Sequence, residues 1–351
     1  MTTVLCTLYN SLYLDKGLVL YDSLRECAKD FKLYVLCMDE KCYEILTELC
    51  LPNQFPIRLR DFENDELIKA KGNRSFGEYC WTCSSSLIKY VLIEFEEPVC
   101  AYIDADMFFY SDPNVLFKEL EDNGASVMVT PHRFDWLDRK EENKVGRYCV
   151  EFNLFKNNKE SITLLDTWIC QCIEKCAAVG DGKYWGDQKY TDNWVEDYSF
   201  VMATNNLGAG VAPWNLSQYK MSSKWETDRI IISNQKEVIL VFFHFENLQF
   251  HSGGIIEGVI RFRWNTDFIL YRELYSKYIN RLADKKKYLR DNYSIDLNVT
   301  VHPVLAGIKV PSLIKRTLGN LFVKGGLSHL LFVSLPNKIY GKRAFFITNS
   351  I

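Results

Sequence analysis

The chain has 351 residues, of which 48% are apolar and 25% charged, with a net charge of −3. This excludes a disordered or collagen-like chain and leaves room for one large domain or two small ones. The near-neutral balance also excludes a broadly basic nucleic-acid binder. Twelve cysteines in a chain this long do not make a small disulfide scaffold. Met1-Thr2-Thr3-Val4-Leu5 runs into apolar sequence with no basic leader. No apolar run approaches the ~18 residues that a spanning helix needs. A reduced, cytoplasmic protein is expected.

In chain order, residues 4–8 are a short apolar run read as a strand, closed by the turn Tyr9-Asn10-Ser11. Residues 17–27 carry Leu18, Leu20, Tyr21 and Leu24 at helical spacing, residues 33–38 are a second buried strand, and residues 42–49 a second helix stopped near Pro52. Strand, helix, strand, helix opens an α/β fold with a parallel sheet. A long helix is predicted over 78–95 from the stripe Leu87, Ile88, Val91, Leu92 and Phe95, and Pro98 blocks its continuation. Strands are expected at 99–103, 125–129 and 152–155, a helix over 163–176, and a late core strand at 238–243. A charge-dense helix over 281–291 marks the one boundary, dividing a catalytic domain, 1–280, from a helical, basic extension, 281–351.

That extension is unusual in charge. From Leu297 to Ile351 there is no Asp or Glu, and seven basic residues give the stretch +7, so that the remainder of the chain carries −10. Pro311 and Ser312 can open a helix with the stripe Ile314, Leu318, Leu321 and Phe322, and residues 327–335 add a second apolar stretch. Such a tail suits an anionic membrane surface, lying in the interface rather than crossing it. The alternatives are packing on the catalytic domain or a homodimer interface.

The most informative stretch is Tyr102-Ile103-Asp104-Ala105-Asp106-Met107-Phe108-Phe109. A buried strand emerges and presents two carboxylates. Residues i and i+2 of an extended chain face the same side, so Asp104 and Asp106 are placed to share one hard divalent cation. Ligands of open α/β sheets bind beyond the carboxyl ends of strands. The bland alternative is a solvated turn whose acids cap a helix. Lys183-Tyr184-Trp185-Gly186-Asp187-Gln188 places a second polar pair after an aromatic loop, where Asp187 also suits a helix cap. Residues 238–243 deliver His244, and Asn206 to Asn215 form a glycine-bearing turn with Pro213 and Trp214. Cys80-x2-Cys83 has no second such pair, so no zinc site is expected.

From about Val4 to Phe250 these blocks, in order, resemble a bacterial group of nucleotide-diphospho-sugar transferases. They are Glu78-Tyr79-Cys80-Trp81-Thr82-Cys83, the D-x-D strand, Thr130-Pro131-His132-Arg133-Phe134, Gly186-Asp187-Gln188-Lys189-Tyr190 and Ala212-Pro213-Trp214-Asn215. The resemblance implies a GT-A, Rossmann-like α/β fold with a central, mostly parallel sheet. It implies transfer of a hexose, with retention, from a nucleotide-diphosphate donor (a UDP-sugar) to a glycan, lipid-linked or other surface-polysaccharide acceptor. Asp104, Asp106 and, as in GT8-like enzymes, His244 would hold Mn²⁺ or Mg²⁺. Asp187 and Gln188 would act at the donor sugar. Thr7, Tyr9, Trp81, Ala105, Pro213, Trp214 and Asn215 would line the nucleotide and donor.

The chain also departs from that pattern. Ser84-Ser85 replaces Thr-Pro, and Cys149-Val150-Glu151 stands where relatives read Asn-x-Gly, with Asn153 on the same strand face as a substitute. Phe245 to His251 lacks the usual phosphate-binding lysine; His251 could donate to phosphate in its place, but a structural histidine is the favoured reading. Two other functions remain open. A sugar-nucleotide pyrophosphorylase would want a glycine-rich loop after the first strand, where no glycine precedes Gly17. A non-catalytic nucleotide-sugar-binding protein would not need the four polar residues at the site.

Overall fold

The computed structural model describes residues 2–136, 138–177, 182–251, 255–259, 266–295, 297, 330–334 and 343–348, and of residues 251, 255–259, 330–334 and 343–348 the backbone only. In chain order the strands are β1 (Thr3–Tyr9), β2 (Phe31–Cys37), β3 (Gln54–Arg58), β4 (Val99–Ile103), β5 (Met107–Phe109), β6 (Val127–Pro131), β7 (Tyr148–Lys156) and β8 (Val201–Ala203). They continue with β9 (Tyr219–Met221), β10 (Ile230–Ser233), β11 (Lys236–Ile239), β12 (Phe242–His244), β13 (Gln249–His251), β14 (Ile255–Val259), β15 (Leu330–Ser334) and β16 (Arg343–Thr348). The central sheet has the order β3-β2-β1-β4-β7-β6-β8. β7 alone runs antiparallel to its neighbours β4 and β6. The fold is therefore α/β with a mostly parallel sheet, as the sequence predicts.

Both sheet faces are covered, which is why the strands read as continuous apolar runs. Successive residues alternate between the faces. Leu5, Val99, Ala101 and Ile103 join one core with Leu18, Leu24 and Leu46. Val4, Cys6, Cys100 and Tyr102 join the other with Leu87, Val91, Leu165 and Trp168. The helix Phe76–Glu94 starts two residues before the predicted point because Ser75 and Glu78 form a reciprocal capping box. β3 escapes the sequence reading because Pro56 interrupts it, and it is an edge strand, where a missing N–H is tolerated.

A third core forms around the helix Phe268–Tyr293. Its residues Leu270, Leu274, Tyr275, Tyr278 and Leu282 pack on Phe108, Tyr110, Phe243 and Phe245, with Tyr278 stacked on Phe245 at 3.8 Å between ring centroids. Lys285 and Lys286 bridge to Asp22 and Asp15 of the helix Leu14–Cys27 at 2.7 and 3.0 Å. The division expected at residue 280 falls inside this single helix, whose Leu282 and Leu289 are also buried.

Two expectations are corrected here. Residues 238–243 are not one strand. β11 pairs with β10 in a hairpin, Leu240 and Val241 cross over, and β12 pairs with β5. The apolar run is continuous because all of its later residues are buried, in two different places. The described parts of the acid-free tail are strands rather than helix: β15 and β16 extend β13 and β14 into a four-stranded sheet. β-branched and aromatic residues such as Phe332, Val333, Phe345 and Phe346 favour that state. The helix expected from Pro311 lies outside the described residues. Among the described residues no helix is long and apolar enough to cross a membrane.

Candidate metal and nucleotide site

Asp104 and Asp106 leave the carboxyl end of β4 in the middle of the sheet. The next residues form β5, whose register with β12 sets Met107 opposite His244. The N–H of Phe245 donates to the carbonyl of Asp106 at 2.9 Å, fixing the end of that ribbon. His244 Nε2 then lies 3.1 Å from Asp106 Oδ1 and 3.7 Å from Asp104 Oδ2. Donor atoms of the three side chains fall within 4.8 Å of one another. Neither acid caps a helix, since the N-cap of the following helix, Asn114–Asp122, is Pro113, with no side-chain cap.

The acids crowd a cavity of about 700 Å³ lined also by Tyr9, Trp81, Ala105, Asp187, Gln188 and Trp214. Glu141 and Glu246 add to the acidic lining, against one lining lysine, Lys144. Burial in the cleft, with Asp106 and Glu151 adding to it and His244 opposing, pushes the Asp104 carboxyl up to about 6. Burial would also raise Asp106, but His244 and Lys16 more than offset it and hold that carboxyl below its ordinary value. Burial pulls the His244 ring down, and the acids around it outweigh this and raise it well above the usual imidazole value. Two carboxylates and an imidazole, converging where carboxylates outnumber cations, form a donor set that fits a divalent ion such as Mn²⁺.

The rest of the expected site divides. Tyr9, Trp81, Ala105, Trp214, Asp187 and Gln188 line the cavity; Thr7, Pro213 and Asn215 do not. Thr7 is fully buried within β1, two residues short of Tyr9 at the strand end that meets the cavity. Asn215 holds its own turn: its amide donates to the carbonyls of His132 and Gly210 at 2.9 and 2.7 Å, and its Oδ1 accepts from the N–H of Ala212 at 3.0 Å. Trp214 Nε1 donates to the same His132 carbonyl at 2.8 Å while its ring stands edge-on to His244. Asn153 is fully buried and does not reach the cavity.

Asp187 stands at the N-cap position of the short helix Gln188–Thr191, but its side chain makes no cap hydrogen bond. Its carboxylate accepts from Ser84 Oγ, and its carbonyl accepts from Trp168 Nε1 at 2.9 Å. Ser84, one of the departures noted above, is thus a partner of Asp187. Gly186, at φ 55°, lets the chain turn into the cavity with Trp81 packed over it. The Gln188 side-chain amide donates to the carbonyl of Val145 at 2.6 Å. Sequence reasoning missed Glu151 as a partner of His244, although a charged residue between Val150 and Phe152 in a buried strand is a visible signal.

Burial, with Asp104 adding and Ser84 opposing, pushes the Asp187 carboxyl up to about 7. A carboxyl raised on folding contributes stability that is full below its unfolded pKa of about 4 and is lost as pH rises through about 7. In the absence of metal, Asp187→Asn is therefore expected to be more stable than the parent at pH 8, by up to about 4 kcal/mol, and no more stable at pH 4. Thermal melts at the two pH values check this, and a mutant-to-parent difference that does not grow with pH would show that burial leaves Asp187 untouched.

No protein-family model matches the chain. The uncharacterized protein YfnD of Bacillus subtilis (strain 168) is 34% identical over 242 residues, covering 68% of this chain and 76% of YfnD. The chain belongs to the YfnD family. A second relative, the uncharacterized protein YfnF of the same strain, is 29% identical to this YfnD-family protein over 284 residues, 79% of this chain and 91% of YfnF. Among solved structures, mouse xyloside xylosyltransferase 1 aligns at 14% identity and a TM-score of 0.46, covering 70% of this chain and 98% of that one. The galactosyltransferase LgtC, in complex with donor and acceptor sugar analogs, aligns at 12% identity and a TM-score of 0.46, covering 87% and 99%.

Proposed function

We propose that this YfnD-family protein is a metal-dependent GT-A glycosyltransferase, moving a hexose with retention from a UDP-sugar to a glycan or lipid-linked acceptor. The observation that carries this is the convergence of Asp104, Asp106 and His244 at the carboxyl end of a mostly parallel sheet, in one cavity with Asp187 and Gln188. Breaking a sugar–phosphate bond leaves a diphosphate to neutralise and an oxocarbenium-like centre to hold. A divalent ion, Mn²⁺ or Mg²⁺, held by Asp104, Asp106 and His244 supplies charge neutralisation for the diphosphate. Asp187, held by Ser84, orients the donor sugar hydroxyls, and Gln188 lies against the reacting carbon. Tyr9, Trp81 and Trp214 supply flat walls for base and sugar. The segment after β1 is an Asn10-capped helical turn rather than a glycine loop, which speaks against a pyrophosphorylase.

A panel of nucleotide sugars, with and without Mn²⁺ and scored by released nucleotide, tests the reading. Mn²⁺-dependent release of UDP from one sugar is expected. Formation of UTP from UDP-sugar and pyrophosphate would replace this reading with a pyrophosphorylase, and binding without turnover on any acceptor would leave a binding protein. The acid-free tail joins the proposal as the segment that brings the enzyme to an anionic membrane, where a lipid-linked acceptor would lie. Flotation with anionic vesicles but not neutral ones is expected, and equal behaviour with both would remove that part.

A further inference from the structure

We infer that Glu151 is a positioning residue that keeps a proton on Nδ1 of His244, so that Nε2 is the nitrogen offered to a cation between Asp104 and Asp106. The inference deepens the metal-site reading above and rests on it. Glu151 sits in the middle of β7 and is fully buried. Its Oε2 lies 2.7 Å from His244 Nδ1, while Oε1, also buried, has no hydrogen-bond partner among the described residues. A buried carboxylate with so few partners is costly for a fold. An apolar residue would serve β7 better, so the position marks a function rather than a contribution to stability.

The chemistry of the contact sets the ring. A carboxylate only accepts, so the nitrogen facing it must carry the hydrogen. In the singly protonated ring, Nε2 then keeps its lone pair. In the doubly protonated ring, the proton that a cation displaces is the one on Nε2. That nitrogen is the one 3.1 Å from Asp106 and 3.7 Å from Asp104. Without an acceptor at Nδ1, the ring can place its one hydrogen on Nε2, donate it to Asp106 and close the site. Glu151 also ties the other side of the cluster, because its carbonyl accepts from the N–H of Asp104 at 3.2 Å. Carboxylates behind metal-bound histidines fix tautomer and orientation in this way. The edge of Trp214, at 89° to the imidazole plane and 5.5 Å between centroids, packs beside the same ring.

The test is Glu151→Met in the full chain, which keeps the length of the side chain and removes the acceptor at Nδ1, so that the ring is free to place its hydrogen on Nε2. Mn²⁺ binding without nucleotide is followed by electron paramagnetic resonance, together with the nitrogen hyperfine signal of a ligating imidazole. Thermal melts without metal report the fold. The parent is expected to bind Mn²⁺ with the nitrogen signal. Glu151→Met is expected to bind about 10- to 100-fold more weakly and to lose that signal at saturating Mn²⁺, with a melting temperature equal to the parent's or higher. A merely structural glutamate would lower the melting temperature and leave the signal in place. If the parent shows the signal and Glu151→Met retains both signal and affinity, the role of Glu151 falls while the metal site stands. If the parent itself shows no imidazole-ligated Mn²⁺, both fall together.

Discussion

Asp104→Ala and Asp106→Ala are each expected to abolish Mn²⁺-dependent binding of UDP while leaving the chain folded. Each carboxylate supplies one of three donor groups, and the two face the same imidazole nitrogen. Loss of a partner behind a metal ligand typically lowers metal affinity about 10- to 100-fold, so loss of a direct donor should lower it by at least about 100-fold. The fold should survive because Asp104, Asp106 and Glu151 repel one another in the absence of a cation. Asp104→Ala should be the more stable of the two, since Asp106 is the one held down by His244 and Lys16. Calorimetry with UDP, with and without Mn²⁺, measures the loss. Unchanged Mn²⁺-dependent binding by either variant would remove that carboxylate from the site.

Gln188→Ala is expected to lower turnover by about 10²-fold with little change in donor affinity. The amide donates to the carbonyl of Val145 at 2.6 Å. That bond uses one of the two N–H donors and anchors the amide, whose oxygen is the group able to face a developing positive centre. A neutral amide is unsuited to binding the metal, so its removal should act on the transition state more than on the ground state. Donor titration by calorimetry separates the two effects, and a melt verifies the loop around Asp187. A change confined to KM would mean that Gln188 only binds ground-state sugar.

Much of this molecule is legible along the chain because its strands are buried on both faces. Apolar runs such as residues 99–103 coincide with β4, and the stripe over Leu87 to Leu92 is the buried face of a helix. The two acids of the candidate metal site are legible for the same reason. A strand that is apolar to its last residue and then turns acidic can only be surfacing at a sheet end.

What the sequence by itself determined is therefore local: the α/β architecture, the strand-end position of Asp104 and Asp106, and the segments that carry Asp187, Gln188 and His244. Only the tertiary structure decided which side chains meet. The β5–β12 register joins Asp106 to His244 across 138 residues of chain, and β7 brings Glu151 beneath the same ring across 93. Neither pairing leaves a trace in local spacing, because a register is set by contacts between strands and not by the order of residues within one. The same holds for the residues that turned away. Thr7 and Asn215 have the chemistry of ligand contacts, but Thr7 lies buried within β1, short of the strand end, and the turn around Asn215 consumes every polar atom of its amide.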